Sequence, residues 1–367
     1  MAKLCLLANA ASTHTEKWAL ALSERGWEVE ILSFLPAELP QVKVHVIPRL
    51  VGDKVDAILR QAWVREKVEE IKPDIIHAHY ATSFGLLGAL TRRHPLVISA
   101  WGSDIFSFPR ISFLHKSLLK WILGHADVLC SSSEIMALEM HRYIGAEQAI
   151  EIIPFGVDTT LFSPQQGEDS PEADDHSKSG SINAPVVFGV AKGLHPIYGL
   201  DLLLEAFAQV HIHYPQTLLQ VAGDGPQRRS LEDLAEKLGV TESVTWLGRL
   251  PNAKVADFYR SVEVVVVPSR QESFGVTAVE GSACARPVIA SRVGGLTEVI
   301  VSGETGLLVS PDSIPELVEA MERLIQDPTL RATMGRQGRE NVLRFYDWQR
   351  NVTQMELVYE RVIRVHS

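Results

Sequence analysis

Val264-Val265-Val266-Val267-Pro268-Ser269-Arg270-Gln271-Glu272-Ser273-Phe274-Gly275-Val276-Thr277-Ala278-Val279-Glu280 is the stretch on which the fold of this 367-residue chain turns. Four consecutive valines carry no period-2 polarity, so they read as a strand covered on both faces, as in a parallel sheet flanked by helices. Residues just past such a strand lie where ligands of open α/β sheets bind. Ser273 reads as the N-cap of the following helix, and Gly275 as a point where backbone approaches a ligand. The free amides and partial positive charge of that helix N-terminus suit a diphosphate. On one helix, Glu272 and Glu280 would be separated by about 12 Å of rise and about 80° of azimuth, so that a carboxylate reaches each end of one elongated ligand. The plainer reading is two surface glutamates on an ordinary helix.

The same alternation of apolar run and helix extends outward on both sides. Val186–Val190, Leu218–Ala222, Val244–Leu247, Val288–Ala290 and Gly306–Val309 complete a second half, while Leu4–Leu7, Val29–Phe34, Val42–Ile47, Ile75–His77, Leu96–Ala100, Val128–Cys130 and Ile150–Ile153 make a first. Helix stops agree, with Gly26 after one helical segment and Pro73 after another. Residues 163–184 are rich in Ser, Pro, Gly, Asp and Glu with almost no aliphatic side chains, which reads as an acidic flexible linker rather than an ordered surface loop. The expected fold is α/β, with two Rossmann-like, doubly wound parallel-sheet domains facing a central cleft. Their expected extents are 1–162 and 185–346, with a last helix at 347–367 that reaches back to the first domain.

Composition narrows the partners. Lys plus Arg number 35 against 45 Asp plus Glu, a formal charge of -10, which gives no general attraction to nucleic acid. Cys5, Cys130 and Cys284 are odd in number and far apart, which argues against a disulfide framework or a clustered metal site and fits the cytoplasm. The N-terminal apolar run is too short for a signal peptide and reads as a buried first strand. No run approaches the roughly 20 apolar residues needed to span a bilayer, so a soluble protein is expected.

Glu272, seven residues, then Glu280, with Phe274-Gly275 between, resembles the signature of the retaining glycosyltransferases of family 4. Ile153-Pro154-Phe155-Gly156-Val157-Asp158, Gly223-Asp224-Gly225-Pro226, Ala283-Cys284-Ala285-Arg286-Pro287-Val288 and Val293-Gly294-Gly295-Leu296-Thr297-Glu298 follow that family's order and spacing. The resemblance covers nearly the whole chain. It implies a GT-B fold and transfer of a hexose-type sugar, with retention of anomeric configuration, from a nucleoside-diphosphate sugar to a saccharide or lipid-linked hydroxyl acceptor. Polysaccharide or glycolipid biosynthesis is the implied setting. It further implies that Glu272 contacts donor sugar hydroxyls, that Glu280 binds the ribose diol, and that Ser273, Phe274, Gly275 and Val276 with Gly223, Asp224 and Gly225 belong to the donor site. No metal and no other cofactor are expected: Asp-x-Asp does not occur in the chain, so amides and cations must neutralise the diphosphate.

Relatives carry Arg and then Lys in the loop after the first strand of the second domain. Here Lys192 matches the Arg and Tyr198 replaces the Lys, so Lys192 is expected to neutralise charge on the leaving group alone, with Tyr198 donating a neutral hydrogen bond. Arg249, after Trp246-Leu247-Gly248, is placed beside the base. In the first domain the acceptor-side candidates are His14, His79, Trp101 and Asp104, with His79 and Asp104 also counted as catalytic. Relatives often carry His where Trp101 stands; Trp101 either packs in the core or stacks on a sugar face. His77 and His79 share one strand face, but two such ligands without a third are weak grounds for a metal, and His79 is either an acceptor-side polar group or a satisfied structural histidine.

Residues 106–122 interleave aromatics with Arg110, Lys116 and Lys120. They read as a core helix with a solvated basic face or, second, as a segment at the inner face of a membrane. Two rival functions remain open: a GT-B-fold nucleotide-sugar epimerase, and a catalytically weak nucleotide-sugar binding protein.

Overall fold

The computed structural model describes residues 2–50, 53–165 and 185–366. The chain divides into two compact units, Met1–Pro154 with Asn351–Ser367, and Phe155–Arg350. The expected linker at 163–184 lies outside the described residues from 166 onward.

In the first unit, strands β1 (Lys3–Leu7), β2 (Glu28–Ser33), β3 (Lys43–Val46), β4 (Ile75–His79), β5 (Leu96–Ser99), β6 (Val128–Ser131) and β7 (Ile150–Ile152) form one sheet in the order β3-β2-β1-β4-β5-β6-β7. Every pairing is parallel. The order reverses between β1 and β4, and this switch point is where such sheets open a crevice beyond their carboxyl ends. All five residues of β4 are buried, as expected of a strand covered on both faces.

The second unit repeats the plan with β8 (Val187–Ala191), β9 (Leu218–Ala222), β10 (Val244–Gly248), β11 (Val264–Val267), β12 (Val288–Ser291) and β13 (Gly306–Val309), in the order β10-β9-β8-β11-β12-β13. Here the switch point lies between β8 and β11. The four valines of β11 are buried, and the helix Val276–Ala283 that follows lies close on them. A Cβ at Gly281 of that helix would come within 2.8 Å of Val265. The architecture is the α/β, GT-B type, built from two Rossmann-like parallel-sheet units.

The expected first-domain boundary at 162 moves to Pro154. Val157 N–H donates to Tyr346 O at 2.9 Å, Trp348 N–H returns to Val157 O at 2.9 Å, and Arg339 donates to Thr159 O and Phe162 O, so residues 155–162 are held by the second unit. The last helix, Trp348–His366, belongs to the first unit from Asn351 on. There Glu356 accepts from Arg25 at 2.5 Å and from Trp27 Nε1 at 3.0 Å. Tyr359, wholly buried, meets His77 Nδ1 at 2.6 Å.

Candidate active site

At the switch point of the second unit, the loops after β8 and β11 bring opposite charges together. Lys192 Nζ lies 2.6 Å from Glu272 Oε2, with side chains only 13% and 11% exposed. Ser269 Oγ stands 3.5 Å from the same carboxylate oxygen. The Lys192 ammonium also sits 4.5 Å from the centroid of the Tyr198 ring, a cation–π contact. Tyr198 thus meets the cation with its ring face.

Backbone-to-backbone contacts set this geometry, and glycines permit them. Gly223, just past β9, has φ +149°, and a Cβ there would lie 1.8 Å from Lys192 O. Lys192 N–H donates to Ala222 O at 2.9 Å and Leu194 N–H to Asp224 O at 3.0 Å, so the loops after β8 and β9 run against each other. Gly294 and Gly295 do the same for Glu272: a Cβ on Gly294 would lie 1.7 Å from Glu272 O, and Gly295 N–H donates to that carbonyl at 3.1 Å.

This contact corrects the reading of Glu272 and Glu280 as residues of one helix. The helix starts at Val276 behind Gly275, whose φ is +109°, and Gly275 rather than Ser273 is the N-cap residue. Glu272 lies in the irregular segment before it, its carbonyl accepting from Gly295, so the expected 12 Å of helix rise does not separate the pair. Glu280 is on the helix, and Tyr259 Oη, fully buried, donates to its Oε2 at 3.0 Å. The Phe274 side chain is buried and packs edge-on against Phe155 and Tyr346.

A cavity of 740 Å³ opens beside these residues, with Lys192, Gly193, Gly223, Asp224, Gly225, Arg249 and Glu280 in its walls. Glu272 touches that space through Lys192, while Tyr198, Ser273, Phe274, Gly275 and Val276 lie outside its lining. Leu250, Asn252 and Val255 also line it and were not singled out from sequence. Arg270 was overlooked as well. It holds Asp201 through two bonds of 2.9 and 2.7 Å, Asp312 at 2.7 Å and Pro196 O at 2.7 Å, and its own N–H donates to Ile197 O at 2.8 Å. It thereby clamps the loop that carries Tyr198. Its position two residues before Glu272 was the available signal.

In the first unit a smaller cavity of 270 Å³ lies at the β1/β4 switch point, bounded by residues that include Asn9 and Ser12 after β1, His79 and Tyr80 at the end of β4, Ser83, Phe84 and Trp101. The ring centroids of His79 and His14 lie 4.9 and 5.8 Å from that of Trp101. His79 is 2% exposed, and its buried Nδ1 has no hydrogen-bond partner among the described residues. Burial first, and then the neighbouring His14, pushes its pKa down to about 3, so the ring is neutral at pH 7. Burial, followed by the field of Lys17, lowers His14 too. His77, on the same face as His79, is occupied by Ser99 Oγ at 2.8 Å and by Tyr359.

Asp104 lies away from the cavity. It is wholly buried, and its carboxylate accepts from the amides of Ala81 at 2.7 Å, Gly102 at 2.7 Å and Trp101 at 3.2 Å. Its position is that of an anchor which shapes the loop presenting Trp101, not of a group facing a ligand.

Comparison with known proteins agrees with both units. Residues 172–341 match the family "Glycosyl transferases group 1", and residues 3–133 match "Glycosyl transferase 4-like". The chain belongs to the glycosyltransferases. An uncharacterized glycosyltransferase of Methanocaldococcus jannaschii is 30% identical over 90% of this chain and 88% of its own length. A D-inositol 3-phosphate glycosyltransferase of Kribbella flavida is 30% identical over 79% of this chain and 71% of its own. Among solved structures, HepE of Anabaena, in complex with UDP and glucose, superposes with a TM-score of 0.79 at 21% identity, covering 98% of this chain and 99% of that one.

Proposed function

We propose that the protein is a retaining, metal-independent family 4 glycosyltransferase that moves a hexose from a nucleoside-diphosphate sugar to a hydroxyl acceptor. The observation that carries this reading is the Lys192–Glu272 pair, whose lysine lines a 740 Å³ cavity also lined by Glu280, itself held by Tyr259. A diphosphate at Lys192 competes with Glu272 for the ammonium and frees that carboxylate to accept from sugar hydroxyls. The binding of UDP and glucose by a protein of the same fold supports a nucleotide-sugar donor.

In the reaction so proposed, the bond from the anomeric carbon to the diphosphate oxygen breaks while the acceptor oxygen bonds the same face of that carbon. The acceptor proton passes to the departing diphosphate. Lys192 stabilises the charge that grows there, where a preorganised cation in a water-poor site acts most strongly. The test is a screen of UDP, GDP and ADP sugars with EDTA present, following nucleotide release and the anomeric configuration of the product by NMR. An inverted product, or activity abolished by EDTA and restored by Mg²⁺, overturns the mechanism; an isomerised free sugar marks an epimerase, and binding without turnover a binding protein.

We also propose a membrane contact through 106–122, at the cytoplasmic inner face. The helix Phe113–Leu123 buries Leu119, Ile122 and Leu123 yet leaves Phe113 76%, Leu114 64%, and neighbouring Ile111 60% exposed. Lys116 and Lys120 are exposed on the same helix, and no acidic residue occurs between Asp104 and Asp127. Exposed apolar side chains beside cations suit an anionic bilayer surface. Flotation with phosphatidylglycerol vesicles tests it, and a protein that stays at the bottom of the gradient refutes it.

A further inference from the structure

We propose that the 270 Å³ cavity of the first unit selects a single neutral, hydroxyl-bearing ring as the acceptor and excludes phosphorylated ones. This deepens the glycosyltransferase reading and rests on it. Three observations converge.

First, among the described residues none of the nine that line the cavity is Asp, Glu, Lys or Arg. The polar groups are Asn9, Ser12, Ser83, Tyr80 and His79, all of which hydrogen-bond without formal charge when histidine is neutral. Lys17, whose field reaches His14, is not in the walls. A phosphate dianion entering this space would leave water without a cation to meet it, which is strongly unfavourable.

Second, His79 lines the cavity, and its Nδ1 is buried with no hydrogen-bond partner among the described residues. Buried polar atoms are rarely left so, and an unsatisfied one calls for a missing partner. A ligand hydroxyl both donates and accepts, so it satisfies Nδ1 in either tautomer; a phosphate oxygen without a proton only accepts. The burial and the nearby His14 also keep His79, the one basic side chain among the described lining residues, uncharged.

Third, size and shape limit the occupant. The volume falls below the roughly 300–1,000 Å³ of pockets that enclose drug-sized ligands, so it holds one ring rather than a disaccharide. Trp101 and Phe84 supply apolar faces against which the C–H surface of a sugar or cyclitol packs. The chain is thereby set apart from its relative from Kribbella flavida, which is named for a phosphorylated inositol.

The experiment uses the full chain and the donor found active in the donor screen. Initial rates are compared for myo-inositol and simple hexosides against myo-inositol 3-phosphate and hexose 6-phosphates. The neutral acceptors should give kcat/KM at least 10-fold higher. His79→Gln, neutral and able to hydrogen-bond, should retain most of that rate, whereas His79→Leu should raise acceptor KM at unchanged donor KM. Ser83→Arg, which places a cation at the wall, should shift preference toward the phosphorylated set. Phosphorylated acceptors equal to or better than neutral ones overturn the proposal, as does a His79→Leu variant with unaltered acceptor KM, provided circular dichroism shows it folded. Donor-only nucleotide release separates the two levels: release without acceptor selectivity sinks this inference alone, and no nucleotide release from any donor sinks the glycosyltransferase reading beneath it.

Discussion

Replacing Lys192 by Ala should lower both stability and turnover, by separable amounts. The ammonium and the Glu272 carboxylate are 2.6 Å apart and almost nine-tenths buried, so Lys192→Ala leaves a mostly buried carboxylate facing Ser269 Oγ at 3.5 Å. Removing one partner of a buried pair costs about 3–5 kcal/mol. The residual exposure of both side chains places this pair at the low end, about 3 kcal/mol. For a unit of this size that corresponds to a fall of roughly 6–12 °C in Tm. Turnover should drop about 10²-fold with donor KM nearly unchanged, since the missing charge acts on the leaving group, where one lost donor is worth about 2.7 kcal/mol. The paired change Lys192→Met with Glu272→Gln separates the effects: it removes both buried charges, so Tm should recover most of the loss while kcat stays low. Calorimetric melting and steady-state kinetics on the two variants and the unaltered protein measure this. Unchanged kcat in Lys192→Ala, or a double variant as unstable as the single, would refute the reasoning.

Gly223→Ala should abolish donor binding and destabilise the second unit, because its Cβ would sit 1.8 Å from Lys192 O at φ +149°; nucleotide titration calorimetry checks it. Arg270→Gln breaks the clamp on the loop bearing Tyr198 and should raise donor KM about 10-fold, as expected when a charge-assisted bond worth about 1.5 kcal/mol is lost, with kcat largely kept. Tyr359→Phe leaves His77 Nδ1 unpaired in a buried site and should cost about 1–3 kcal/mol in urea unfolding. Stability should also fall with acid. His77 and His79 are held below the ordinary histidine value by burial, His79 down to about 3. Below pH 6.5 the unfolded chain therefore binds protons that the folded chain refuses. The loss begins at the unfolded value and for His79 reaches about 2 kcal/mol at pH 5, with His77 acting in the same direction. Urea midpoints at pH 7.5 and 5.0 measure it, and His79→Gln should shrink the difference.

Much of the fold was legible in the sequence because strands covered on both faces need uninterrupted apolar runs. Val264–Val267 and Ile75–His77 announce buried parallel strands without any partner being known. Topology points to the residues after those strands, and the family resemblance picked out Lys192, Gly223 and Glu280 among them; these and His79 are found at cavity walls. Helix entry was misjudged at Ser273 because capping rules see only local side chains, whereas Gly295, over twenty residues away, takes the Glu272 carbonyl. Asp104 was misjudged for a similar reason: its partners, Ala81 and the amides of the Trp101 loop, meet it only when β4 and β5 lie side by side.

By itself the sequence determined the class of architecture, the order of the elements and the chemical inventory at the strand ends, since periodicity and turn residues act over a few positions of chain. Tertiary structure alone decided how that inventory is paired: Lys192 with Glu272 across 80 residues, Tyr259 with Glu280, Arg270 with two aspartates, and His77 with Tyr359 from the last helix. Charges and hydrogen bonds act over a few ångströms of space, and which groups come that close is set by the packing of whole strands and helices, not by their distance along the chain.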